Sequence, residues 1–285
     1  MTELLVVFAG AAVVTVALVT MSRQLLTSPA LARRNHRGLD VPTAGGMLVV
    51  LAVVVVEAVR ASLGALEIGT ETGLTTERTL VLFAVLGYGL LGLFDDLVAT
   101  GDTRGFRGHV TAALRGQLTT GFVKLAGGGM LAVILVATPD FVEGRSVIVD
   151  AVIVALAANV ANLFDRSPGR LIKVAGLVYV PLAVGLASSA TGIAVAPVMG
   201  AAAAMLVPDL RERLMLGDTG ANVIGAVLGL GVVLGVESDG ARLGVLAGVV
   251  ALNLAAEFVK FSVIIERTRP LRWFDRLGQI RHGRV

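Results

Sequence analysis

An all-α, polytopic membrane bundle of about nine transmembrane helices is what this sequence predicts, with the N-terminus outside and the C-terminus cytoplasmic. Three observations point there. Hydrophobic residues make up 55% of the 285 and charged ones only 16%, at a mean hydropathy of +0.85, far from the balance of a water-soluble domain. Apolar stretches long enough to meet a bilayer recur at 3–21, 44–63, 79–94, 119–137, 146–163, 171–187, 189–207, 219–236 and 242–263. Finally, arginine and lysine sort by loop: if the spans alternate, one side holds most of them, and the positive-inside rule makes that side cytoplasmic.

The first stretch carries Glu3, has no base before it, and is followed by Arg23 rather than a small-residue cleavage site, so it reads as a retained span. Arg33, Arg34 and Arg37 follow it on the basic side, joined by Arg104, Arg107, Arg115, Arg166, Arg170, Lys173, Arg211, Arg213 and the C-terminal arginines. The opposite side holds Arg60, Arg78, Arg145 and Arg242 among acids such as Glu57, Glu67 and Asp239. Gly225 and Gly229, then Gly231 and Gly235, are small residues four apart of the kind that lets membrane helices approach closely. Residues 1–263 read as one transmembrane domain and 264–285 as a basic cytoplasmic segment, whose Arg267 to Trp273 stretch reads as lying on the membrane surface.

Several function classes drop out. No cysteine is present, which excludes disulfides, thiolate catalysis and thiolate metal sites, and three histidines argue against a histidine-rich metal centre. A pI of about 9.8 raises nucleic acid as a partner, but bases sorted by membrane side argue for a membrane protein with no nucleic-acid role.

Five segments bear the polar chemistry: "NHRGLDVPTAGG" (35–46), "GLFDDL" (92–97), "NVANLFDRSPGR" (159–170), "MLGDTGANVIG" (215–225) and "RTRPLRWFDRLGQIRHGR" (267–284). All five fall on the basic side. Asp95 and Asp96 end an apolar helix, where the macrodipole disfavours acids and each disfavours the other, so a cation should offset them. With Asp165 and Asp218 they make four carboxylates at helix ends, an all-oxygen set suited to Mg²⁺ or Mn²⁺ held together with a substrate phosphate.

Glycine-rich turns at Gly45–Gly46 and Gly217–Gly220 precede helices, where backbone N–H groups favour anionic oxygens. Arg104, Arg107, Arg166 and Arg170 are forked donors for a diphosphate. Plainer roles stand beside these: Asp218 as a helix N-cap, Asp165 as a solvated loop acid, Asn159 and Asn162 as helix-to-helix hydrogen bonders, Lys124 as a snorkelling base, and Glu257 with Lys260 as a local pair.

In order and sidedness these segments resemble the polyprenyl-phosphate N-acetylhexosamine-1-phosphate transferases, the superfamily of the MraY translocase and of WecA-like and TagO-like enzymes. Pro42-Thr43-Ala44-Gly45-Gly46 is similar to the PTxGG motif, Asp95-Asp96 to the aspartate pair, Asn159 to Asp165 to NxxNxxD, and Leu216-Gly217-Asp218-Thr219-Gly220 to the (M/F)GDxG loop. The resemblance implies Mg²⁺-dependent transfer of a sugar 1-phosphate from a UDP-sugar to polyprenyl (undecaprenyl) phosphate, releasing UMP at the cytoplasmic face of the plasma membrane in cell-wall biogenesis. On it, Asp95 and Asp96 are catalytic, Asp218 and Asp165 are metal ligands, and Asn159, Asn162, Lys124, Arg37, Arg104, Arg107, Arg170 and Gly217 contact substrate. A homodimer is compatible with it. The chain departs from the pattern where Arg166-Ser167-Pro168-Gly169 follows Asp165, and where a histidine cluster is replaced by a lone His282. The alternatives are a catalytically silent relative serving as a membrane scaffold or partner subunit and, with charges at span ends rather than at the midplane, least of all a transporter.

Overall fold

A computed structural model describes residues 1–26, 28–35, 37–68, 73–98, 108, 111–112, 114–138 and 146–280, with the Arg23 side chain outside that set. Among the described residues the fold is all-α apart from one small hairpin. Helices cover the predicted stretches: α1 (Thr2–Met21), α2 (Gly46–Ala65), α3 (Thr76–Val98), α4 (Thr120–Val136), α5 (Val147–Phe164), α6 (Arg170–Gly185), α7 (Ala190–Leu210), α8 (Gly217–Gly235) and α9 (Asp239–Phe258). Seven of them are long and apolar enough to cross a membrane. The two others are α4, with 17 residues, and α6, whose 16 open on Arg170 and include Lys173.

Short polar residues set where several helices begin. The Thr119, Ser146, Ser189 and Ser238 hydroxyls accept the backbone N–H three residues on, capping α4, α5, α7 and α9. Helix α8 has no such residue: its N-cap position is Leu216, without a side-chain cap. Its cap comes from another helix.

Helix α8 is the axis of the bundle, buried at every position from Thr219 to Leu234 and packed against α5, α3, α7, α2 and α6. The glycine spacing explains how it fits. A Cβ on Gly225 would lie 2.4 Å from the Ala157 carbonyl oxygen of α5, so the two backbones touch where a side chain would hold them apart. Helix α1 turns Leu4, Val7, Ala11 and Thr15 inward and packs along α7 and α2. Helix α9 leans on α5 and buries only Arg242.

Two features differ from the sequence reading. Residues 32–42 form a hairpin of β1 (Ala32–Arg34) and β2 (Asp40–Pro42), with Arg33 opposite Val41. Its turn closes through the Asn35 side chain, which accepts the Arg37 and Leu39 N–H groups, and through Gly38 at φ +79°. Secondly, four of the charges placed on the far side, Glu57, Arg60, Arg78 and Arg242, are buried in the bundle. Arg78 meets Glu57 at 2.7 Å, Arg60 meets Glu57 at 3.2 Å and Glu3 at 3.3 Å, and Arg242 meets Asp150 at 3.2 Å. Paired in this way, the charges avoid the cost of lone ions in a low-dielectric setting.

Beyond α9 the helix is interrupted by extended backbone at Val259 and Lys260, and two short helices follow, α10 (Phe261–Arg267) and α11 (Arg269–Arg276).

Candidate active site

At one end of the bundle α3, α5, α7 and α9 finish while α2, α4, α6 and α8 begin, and the motif segments meet there. The strands of chain at 42–46 and 215–217 are knit by their backbones: Met215 N–H donates to Pro42 O at 2.8 Å, and the Gly45 and Gly46 N–H groups donate to Met215 O and Leu216 O at 2.9 Å each. These glycine N–H groups therefore hold a neighbouring loop rather than facing open space for a phosphate. The glycines also permit the contact, since a Cβ on Gly46 would sit 2.0 Å from the Gly220 nitrogen.

The aspartate pair splits into two tasks. Asp96 reaches the open start of α8: its carboxylate accepts the Asp218 and Thr219 N–H groups at 3.0 Å each and the Thr219 hydroxyl at 2.6 Å. Thr43 approaches at 3.5 Å. Asp96 thus supplies the cap that α8 lacks and places a negative charge at the positive end of the helix dipole. Gly217, at φ +67°, lets it in; a Cβ there would lie 2.6 Å from the carboxylate.

Asp95 faces elsewhere. Lys124, from the first turns of α4, puts its ammonium 3.2 Å from Asp95 and in direct contact with Asp218. Lys124 is therefore no snorkelling base, but the bridge between two acids from different helices. Lys124 supplies the cation beside Asp95, while Arg33 donates to the main-chain carbonyls of Asp96 and Leu97 at 2.9 and 3.2 Å and so closes the C-terminus of α3.

Beside this triad lies a cavity of about 300 Å³, lined by Asp96, Asp165, Asp209, Glu212 and Asp218, with Arg34 and Arg166. Asp165 stands at the C-cap of α5. Burial pushes its carboxyl well above the usual carboxylate range, the carboxylates of Asp209, Asp218 and Asp96 push the same way, and the Gly217 N–H directed at it offsets part of this. A cavity with five acidic side chains and no cation pairing Asp165 among the described residues fits an oxygen-preferring divalent ion. Among the described residues no three carboxylates or imidazoles stand close enough together to hold a metal ion by themselves.

Several expected substrate contacts are engaged within the protein. Arg37 pairs with Glu212 at 2.9 Å, next to Asn35 on the same carboxylate. Asn159 donates to Asn253 of α9 at 2.5 Å and Asn162 to Asn222 of α8 at 2.6 Å, so the helix-to-helix role applies to both. Arg170 is turned away from the cavity, gripping Asp275 of α11 through Nε at 2.6 Å and Nη2 at 3.0 Å. Arg104 and Arg107 lie outside the described residues.

Asp209, Thr219 and Arg33 help to build this end of the bundle, and sequence reasoning gave none of them a role there. Asp209 is buried and accepts the Gly169 N–H at 2.7 Å, fixing the loop after Asp165. An acid next to Pro208 at the end of an apolar stretch was the available signal.

Comparison with known proteins adds one relative. No protein-family profile matches the chain. It is similar to a phospho-N-acetylmuramoyl-pentapeptide-transferase of Oceanobacillus iheyensis, 24% identical over 246 residues, which cover 82% of this chain and 73% of that protein. At 24% identity this likeness supports a divergent member of the MraY-type transferase superfamily. The motif resemblance and this transferase likeness agree, and the geometry gives the motifs distinct tasks: the aspartate pair and GDxG-like loop build the triad, the PTxGG-like turn supports that loop, and Asp165 opens on the cavity.

The Asp275 clamp has a testable consequence. Asp275→Asn keeps the shape but loses the charge opposite Arg170, and is expected to cost about 1–2 kcal/mol, confined to α11. Limited proteolysis should then cut after α9 faster than in the wild type, with the bundle intact.

Proposed function

We propose that this protein transfers a sugar 1-phosphate from a UDP-sugar to a polyprenyl phosphate at the cytoplasmic face of the cell membrane, releasing UMP. The observation that carries the proposal is the Asp95, Lys124 and Asp218 triad beside an acid-rich cavity, at the end of a membrane bundle where the transferase-like motifs meet. A phosphate monoester with a second pKa near 6 is largely dianionic at neutrality, so the acceptor lipid needs positioning more than deprotonation. One of its oxygens attacks the phosphorus that carries the sugar, the new P–O bond forms, and the anhydride bond to UMP breaks.

Lys124 offers its ammonium to these anionic oxygens while Asp95 and Asp218 hold it in place. Asp96 acts through α8 by fixing the backbone of Asp218. Asp218 and Asp165 are the residues that would hold Mg²⁺. Bound there, the ion would neutralise the diphosphate and the charge on departing UMP. A second reading, a silent relative acting as a scaffold, draws support from Arg37, Arg170, Asn159 and Asn162 being engaged internally.

The test is UMP release by purified protein in detergent with polyprenyl phosphate and a panel of UDP-sugars, across a Mg²⁺ titration and with chelator. Lipid-dependent release with one sugar, lost on chelation, is expected. No release with any sugar, with no shift in thermal stability on adding Mg²⁺ or nucleotide, would favour the scaffold.

A further inference from the structure

Helix α11 has two unlike faces. Asp275 on one side grips Arg170, and Lys173 donates to the Phe274 carbonyl at 3.0 Å, while Gln279 just beyond reaches Ser167 and Pro168 at 3.1 and 3.0 Å. These contacts pin α11 against the first turn of α6, at the depth where that apolar helix begins. Arg269, Arg272, Trp273 and Arg276, with Leu277, line an open groove of about 560 Å³ whose edge is the bracing residue Gln279.

Charge on that face is unbalanced. Among the described residues Glu266 is the carboxylate partner recorded there, taken by Arg276, and Arg272 donates to its backbone oxygen at 3.2 Å. Trp273 is 67% exposed beside the arginines, and Leu277 is exposed too. Guanidinium groups flanking an indole, held at the level of a span's end, match a phosphate headgroup above an acyl chain: the arginines meet the phosphate and the indole the interface.

We infer that this face of α11 is a binding site for anionic phospholipid headgroups. It anchors the segment that braces Ser167, Pro168 and Arg170 to the membrane surface. The site is separate from the triad, and its test needs no turnover.

Trp273 is the sole tryptophan, so fluorescence excited selectively at tryptophan reports on this face alone. The full-length protein is placed in nanodiscs of phosphatidylcholine containing either brominated phosphatidylglycerol or brominated phosphatidylcholine, and quenching of Trp273 is read at low and high salt. Each arginine near an anionic surface enriches the contact by roughly fivefold. Quenching is therefore expected to be stronger with brominated phosphatidylglycerol, and high salt should reduce that excess. The triple variant Arg269→Gln, Arg272→Gln, Arg276→Gln should lose the preference while still being quenched by brominated phosphatidylcholine, which shows α11 still docked at the interface. Equal quenching of the wild type by the two lipids would overturn the inference. So would a shift of Trp273 emission by inorganic pyrophosphate in detergent without any phosphatidylglycerol preference, because the groove would then serve a soluble phosphate.

Discussion

Asp96→Ala is expected to cost about 3 kcal/mol of stability and to take activity down with it. The carboxylate is the acceptor for three donors at the start of α8, two backbone N–H groups and the Thr219 hydroxyl, and that helix has no side-chain cap of its own. Removing it leaves partly buried donors without an acceptor, each worth about 1–3 kcal/mol, and deletes a charge at the favourable end of the helix dipole. Thermal or denaturant unfolding in detergent reads the loss, and Asp96→Asn, which keeps one acceptor oxygen, should lose less. An Asp96→Ala protein as stable as the wild type but inactive would make Asp96 a reacting group rather than a cap.

Lys124→Met is expected to lower turnover by about 10²-fold or more, as removal of a preorganised charge from a reacting centre does. The substitution preserves length and removes the ammonium that bridges Asp95 and Asp218, leaving two carboxylates from α3 and α8 to repel one another. Such a pair draws in a proton or a divalent cation, so the variant's melting temperature should respond more to Mg²⁺ than the wild type's. Turnover within about twofold of wild type would remove Lys124 from the reacting centre.

Some of this organisation is legible in the chain and some is not, for physical reasons. The helices could be read because apolar stretches of bilayer length carry a strong hydropathy signal, and the small residues four apart on α8 marked it as a helix packed closely against others. The gathering of the motifs at one end followed from alternating spans. Partner choice was not legible. Asp218 stands where a routine N-cap would, yet the cap on α8 is Asp96, 122 residues away. Arg170 is in the expected place for a phosphate donor, and its partner is Asp275, 105 residues on, in a segment whose charge composition suggests only a surface. The hairpin at 32–42 is too short for a strand period to show, and what sets it is the Asn35 side chain with Gly38.

One comparison tests the role of the triad most directly: UMP release and lipid-linked sugar diphosphate formation by wild type and Asp218→Asn, at matched thermal stability. The substitution leaves the Asp218 backbone N–H that donates to Asp96 and removes only the side-chain charge facing Lys124. Lipid-dependent UMP release in the wild type with loss of both products in Asp218→Asn is the predicted result. Equal product from both proteins would contradict it, since the charge at the centre of the triad would then take no part in the chemistry.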